Sequence, residues 1–365
     1  MRKLLARCPF SGSFLLLPFL VLFIAVMIST FLGCRRSTTA VTHEPTPAAA
    51  PLQEPPIVSS VYVRNVPGEI HIEVPVFFLE PITMDPYDIL SYPMGNWRDS
   101  RFEVFRWDRF PEILIFDTAT FAVQDRLLKR LAFFVEKAGF RGRLAHDAEI
   151  AGLHGWNAHD YKAEDLAIFF ETARRTNFPL SQEERDLESI LLAEGTIRRN
   201  VASQIIPGRG AILSISRGSD ANLRTRFMAH EGFHGIYFID EDLRNFTRER
   251  WEIFPDDGKA MLLAFFHLQE YDITNTELVL KEFKAHVLQL PVGQLSWYFG
   301  IHLPNRLLTE NAALYRDYLP AREELRDGRR LWPDLARIFT AEAEVFSRYV
   351  DQRWGFAAGR VWRAR

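Results

Sequence analysis

Apolar residues recur along this chain with two distinct periods. Ile70, Ile72 and Val74 alternate with His71 and Glu73 and then give way to the run Val76-Phe77-Phe78-Leu79, a period-two signal that predicts one or two strands. Val61 to Val63 is a neighbouring strand candidate. Glu112 to Phe116 and Ala211 to Ser216 are short apolar runs bounded by turn residues, and both are expected as strands. Helical periodicity appears from Ala122 to Lys137, closed by Gly139, and from Tyr161 to Arg175. Ser181-Gln182-Glu183-Glu184 has the spacing of a capping box and starts the next helix. After Ser216 nearly everything is helical, including Thr276 to Leu290 and Asp334 to Asp351. This order predicts an α+β fold, an N-terminal mixed β-sheet with helices over 58–210 followed by a mostly helical part over 211–365.

The N-terminal segment has a different pattern. Phe14 to Gly33 is almost wholly apolar and follows Arg2, Lys3 and Arg7. At 1.5 Å per residue it is long enough to cross a hydrocarbon core of about 30 Å, so 1–33 is expected to be a signal peptide or membrane anchor. Pro45, Pro47, Pro51, Pro55 and Pro56 then mark 34–57 as an extended linker. Phe31-Leu32-Gly33-Cys34 resembles the lipobox of bacterial lipoproteins. That resemblance implies a lipid on Cys34; the alternative is an uncleaved signal anchor. Either reading predicts an extracytoplasmic, membrane-anchored protein.

With 47% hydrophobic and 25% charged residues, the chain has the composition of a folded protein. Its net charge of -3 becomes more acidic once the basic N-terminal segment is set aside, which leaves no footprint for nucleic acid. Cys8 and Cys34 are the only cysteines, so a metal in the folded part has to be held by His and carboxylates.

His230-Glu231-Gly232-Phe233-His234 satisfies the H-E-x-x-H pattern. On a helix, residues i and i+4 share a face, so two imidazoles can hold one Zn2+ while the adjacent Glu reaches a water as general base. On a helical wheel Leu223, Phe227, His234 and Tyr237 fall in the same arc as His230, which predicts that both histidines face inward. Hydrogen-bonded core histidines are the alternative. The helix from Thr276 supplies two candidate third ligands. Glu277 falls beside Lys281 and Lys284 and is expected in solvent, with Lys281 as its i+4 partner. Glu282 forms a polar stripe with His286 and Gln289 inside an apolar surround, and a buried carboxylate needs a partner, a metal or a buried Arg.

His230, Glu231 and His234, followed by Glu282 on a second helix, resemble the zincin metallopeptidases, specifically the gluzincins. The resemblance covers Ala211 to Leu290. It implies Zn2+ bound by His230, His234 and Glu282, Glu231 as general base, and an edge strand ahead of the first helix that pairs with substrate, a place occupied here by Ala211 to Ser216. It also implies hydrolysis of a peptide or protein substrate, cell-wall peptide included. The oxyanion requires a further donor; His286 is favoured by its place on the Glu282 face, with Tyr271, Tyr298 and His302 as alternatives, and His286 equally suits the orientation of a ligand.

In the loop His154 to Asp160, Asp160 is expected to cap the helix near Tyr161, with His154 and His159 as polar loop residues; lining a substrate cleft or holding a second metal is the alternative. Trp297 and Tyr298, at helical spacing, are expected in the core, with a pocket that prefers a hydrophobic side chain as the alternative. There is no phosphate-binding glycine loop and no G-x-S-x-G setting for Ser214 or Ser216. A cell-envelope binding module with a structural metal or none, and a cell-wall peptide amidase, are the alternative functions.

Overall fold

The short apolar runs assemble into one sheet. In the computed structural model, which describes residues 77–318, 323–326 and 329–364, five strands join in the order β1-β2-β3-β7-β4. They are β1 (Ile82–Met84), β2 (Phe102–Trp107), β3 (Ile113–Thr118), β4 (His159–Lys162) and β7 (Ala211–Ser216). Pairings β1/β2 and β3/β7 are parallel; β2/β3 and β4/β7 are antiparallel. A two-stranded ribbon, β5 (Ile197–Arg199) and β6 (Ile205–Pro207), lies outside this sheet, as does the hairpin of β8 (Glu324–Arg326) and β9 (Arg329–Leu331).

The inner strands β3 and β7 are buried along their whole length because helices cover both faces. Period-two geometry divides their side chains between two cores. Leu114, Phe116 and Ile212 join Val104 against Leu127, Phe169 and Leu187, which lie on α2 (Phe121–Val135), α4 (Ala163–Thr176) and α5 (Gln182–Glu194). Ile113, Ile115, Leu213 and Ile215 join Phe105 and Trp107 against Met228, Phe233, Ile236, Phe283 and Phe339. Those residues belong to α6 (Ala221–Ile239), α9 (Thr276–Leu288) and α13 (Pro333–Trp354). The remaining helices are α1 (Pro86–Ser91), α3 (Asp147–Ile150), α7 (Glu241–Ile253), α8 (Asp256–Leu268), α10 (Val292–Trp297), α11 (Leu303–Glu310) and α12 (Ala312–Tyr318).

The fold is α+β. The two parts expected to meet at residue 210 share one sheet, since β7 pairs with β3 on one side and β4 on the other. All described residues fall in one compact unit, Glu54–Arg365. The Ser181 capping box forms as the sequence indicates, with Ser181 accepting from the Glu184 amide and Glu184 accepting from the Ser181 amide.

Three expectations need correction. Ala211 to Ser216 is an inner strand with both edges paired, so it has no free edge for a substrate; the edge strands are β1 and β4, and β4 is the one beside it. Asp160 lies within β4 and caps nothing, because the helix begins at Ala163 with Lys162 as N-cap. Phe77 to Leu79 are not in a strand. Residues 61–63 and 70–76, the apolar segment 14–33, Cys34 and the linker 34–57 lie outside the described residues. Among the described residues no helix is long and apolar enough to cross a membrane.

Two contacts place the central helix α6. Buried Asp117 on β3 accepts two hydrogen bonds from Arg224, at 2.7 and 2.9 Å, and one from Arg217 at 2.8 Å. This fixes the first turn of α6 to the sheet. Farther along, Gly235 allows a close approach, since a Cβ there would stand 3.0 Å from Ile113 and 3.3 Å from Leu213.

Candidate metal centre

α6 and α9 pack side by side, and the helical repeat brings His230, His234 and Glu282 to one point. The two Nε2 atoms lie 3.0 Å apart. His230 Nε2 is 3.4 Å from Glu282 Oε2, and His234 Nε2 is 3.5 Å from Glu282 Oε1. A tetrahedral cation with bonds of about 2.0–2.1 Å needs donors about 3.3 Å apart. The three separations bracket that value, so this donor set fits Zn2+.

The protonation of the rings follows from a chain of hydrogen bonds. Arg226 Nε donates to one side-chain atom of Gln289 at 3.0 Å. A guanidinium can only donate, so that atom is the amide oxygen. The same oxygen lies 3.2 Å from His230 Nδ1. His230 therefore carries its proton on Nδ1 and leaves the Nε2 lone pair free. The Gln289 amide nitrogen lies 2.9 Å from His286 Nδ1 and donates to it. Burial pushes the His286 pKa well below its ordinary value, so the neutral ring bears its one proton on Nε2, 3.9 Å from Glu282 Oε2. His286 thus presents a donor and not a lone pair. This removes it from the ligand set even though His230, Glu282 and His286 are near enough to share an ion.

Asp160, His234 and Glu282 form another possible group, but Asp160 accepts a hydrogen bond from Lys281 Nζ at 2.7 Å and lies 4.0 Å from His234 Nε2. Lys281 also faces Glu136 at 3.6 Å and Glu282 at 3.7 Å. Among the described residues it is the only Lys or Arg within ion-pair reach of Glu136, Asp160 or Glu282, and no Lys or Arg stands that close to the buried Glu231 beside them.

The imbalance shows in their acidities. Burial, helped by Asp160 and Glu282, raises Glu136 to about 8 despite Lys281. Burial, with Asp160 and Glu282 beside it, pushes Glu231 well above the usual carboxylate range. Glu282 is desolvated too, but His234, His230 and Lys281 more than offset this and hold it well below that range. Glu231 Oε2 and Glu282 Oε2 are buried without a hydrogen-bond partner. A site short of positive charge, with unpartnered carboxylate oxygens, matches what a divalent cation would complete.

The cluster opens on a cavity of about 950 Å³ lined by His230, Glu231, His286, Gln289 and Tyr298 on one side and by Trp156, Asn157, His159 and Asp160 on the other. Leu223 and Phe227 share the arc of His230 as predicted, but they line this cavity; Leu223 is 39% exposed. The inward face of α6 is thus a cavity wall as well as a core face.

Glu277 is exposed as expected, yet its partners are Tyr237, which donates to it at 3.2 Å, and Arg248 at 3.6 Å. Lys281 turns inward to the acids. Tyr271 and His302 reach the cavity wall alongside Tyr298. Trp297 is 55% exposed and stacks on His302 at 4.9 Å, so it is not core. His159 is buried with Nδ1 on Ser214 Oγ at 3.0 Å, and His154 is exposed at the rim.

Several contributors carry no motif. Arg226 stands one turn before His230 on the same face, and the wheel that placed Phe227 would also have found it. Glu136, Asp160 and Lys281 come from three separate elements, and no local pattern marks them. Comparison with known protein families, curated proteins and solved structures finds no match for this chain.

Proposed function

We propose that the protein is a zinc-dependent peptidase of the extracytoplasmic envelope, tied to a membrane by its N-terminal segment. The observation that carries this reading is the convergence of His230, His234 and Glu282 at 3.0 to 3.5 Å, beside a large cavity that Glu231 also lines. A purely structural metal would be closed off from such a space. The resemblance to the gluzincins rests on these residues.

Zinc bound there would supply a Lewis acid for a carbonyl oxygen and make an adjacent water more acidic. The chain's own groups account for the rest. Glu231, which lines the cavity beside the two histidines, is placed to accept the proton of the attacking water and to return it to the leaving amine. His286, whose Nε2–H is fixed on the Glu282 side by Gln289, is a donor for the developing oxyanion. Gln289 keeps the His230 lone pair available. The free edge of β4, with Asn157 to Asp160 along the cavity, suits an extended peptide that adds one strand to the sheet.

The test is metal content and peptide hydrolysis of the full-length protein. Wild type and Glu277→Ala are expected to hold about one zinc per chain and His230→Ala and Glu282→Ala to lose it, as three-ligand sites require. Glu231→Gln is expected to keep the metal and lose hydrolysis. Retention of zinc by Glu282→Ala, or undiminished cleavage by Glu231→Gln, refutes the proposal.

A further inference from the structure

Three Lys and Arg side chains line the cavity, Lys137, Arg226 and Arg306. Lys137 lies 3.8 Å from Glu270, and Arg306 lies 2.7 Å from Glu310. Arg226 pairs with no carboxylate among the described residues; its partners are neutral, Gln289 Oε1 at 3.0 Å and Tyr298 Oη at 2.5 Å. Its guanidinium also lies over the Tyr298 ring at 4.6 Å. A half-buried guanidinium with no counter-ion is costly to maintain, and an anion entering the cavity would offset that cost.

The group is also aimed. Two neutral acceptors and an aromatic face hold the guanidinium in one orientation, and no hydrogen bond within the described residues occupies its second terminal nitrogen. Tyr298 opens a single turn of π-helix, Tyr298–His302, a rare geometry found mostly at functional sites. That turn puts both Tyr298 and His302 on the cavity wall. Arg226 and His230 donate to the same Gln289 oxygen, so the cation adjoins the candidate metal ligand.

We propose that Arg226 recognises a peptide carboxylate, and that the substrate is a short peptide with a carboxylate close to the bond cut, either its free C-terminus or an acidic side chain. The inference rests on the peptidase reading for the word substrate, and on the unpaired cation for the carboxylate. Guanidinium and carboxylate match in a two-bond fork, which gives orientation as well as affinity. The cavity, at about 950 Å³, has room for a few residues, and Leu223, Phe227 and Trp156 give their side chains apolar walls.

Calorimetric titration of the chelator-treated full-length protein tests the site without metal or turnover. The probes are N-acetyl-Phe-Ala with a free carboxylate, its C-terminal amide, and N-acetyl-Phe-Asp amide. At least one carboxylate probe is expected to bind about tenfold tighter than the neutral amide, as for a charge-assisted contact, and which one does so identifies the source. The preference is expected to vanish in Arg226→Met and to fall at least about threefold in Arg226→Lys, whose ammonium cannot form the fork. Circular dichroism checks the fold of each variant, and Arg226→Lys decides if Arg226→Met does not fold. Equal binding of all three probes, no binding of any at millimolar concentration, or a preference unchanged in these variants overturns the proposal. A chain that shows the preference but neither binds zinc nor cleaves peptides refutes the peptidase reading alone.

Discussion

Gln289 offers the sharpest test of the centre, because its two amide atoms do separate jobs. Its oxygen accepts from Arg226 Nε at 3.0 Å and His230 Nδ1 at 3.2 Å; its nitrogen donates to His286 Nδ1 at 2.9 Å. Gln289→Glu keeps both acceptances, strengthened by charge and compensated by Arg226, but cannot donate. His286 would then carry its proton on Nδ1 and turn a lone pair toward Glu282, 3.9 Å away. Zinc affinity is expected to stay within about threefold of wild type, since the lone pair of His230 is untouched. Loss of a preorganised donor lowers kcat by about 10²- to 10³-fold. Gln289→Leu removes all three bonds in a residue only 3% exposed. It leaves Arg226 and His230 with unmet donors, at about 1–3 kcal/mol each, and is expected to weaken zinc binding about 10- to 100-fold. Competition with a chromophoric chelator measures the affinity, peptide turnover gives kcat and KM, and thermal melting monitors the fold. Full kcat in Gln289→Glu would show that the proton position on His286 is irrelevant. Wild-type zinc affinity in Gln289→Leu would show that Gln289 does not orient His230.

Other expectations follow from buried groups that are not themselves candidate metal ligands. Burial, together with the nearby charge of His154, lowers the His159 pKa to about 3, so between about pH 6.5 and about 3 the unfolded chain binds a proton that the folded one refuses. Stability therefore falls as pH is lowered through that window, by at most about 1.4 kcal/mol per pH unit from this group. Urea unfolding at a series of pH values should give a shallower dependence for His159→Gln, and an unchanged slope contradicts the assignment. Asp117→Ala strands Arg224 and Arg217 and is expected to cost about 3–5 kcal/mol, read as a fall in the denaturant midpoint; a loss below about 1 kcal/mol would mean water replaces the carboxylate. A Cβ at Gly232 would stand 2.8 Å from Val361, so Gly232→Ala should destabilise by about 1–3 kcal/mol through overpacking, which Val361→Ala should relieve in the double variant.

The local signals were sound where a repeat governed them. The strand at Glu112 to Phe116, the Ser181 box and the helix carrying Glu282 all stand close to where periodicity put them. Period-two burial on both faces also explains why β7 looked like an ordinary short strand: an inner strand and an edge strand carry similar apolar runs. Strand order decides which is which, and it put β4, read as loop and helix start, at a free edge. Lys281 was misjudged for a related reason. Its wheel position beside Glu277 suggested a surface pair, yet a long side chain can turn toward charge in the interior, and Glu136 and Asp160 from two other elements, with Glu282 next to it, draw it there.

The sequence by itself determined the α+β order of elements, the His230/Glu231/His234 triplet on one helix and the polar stripe of Glu282, His286 and Gln289 on another, because each depends only on the repeat of its own element. Tertiary structure alone decided that the two stripes meet, that Gln289 sets the protons of His230 and His286, and that Arg226 is left without an acid among the described residues. The physical reason is distance. A helix fixes neighbours within a turn or two, whereas the charge balance of a buried site is summed over side chains that only packing brings together.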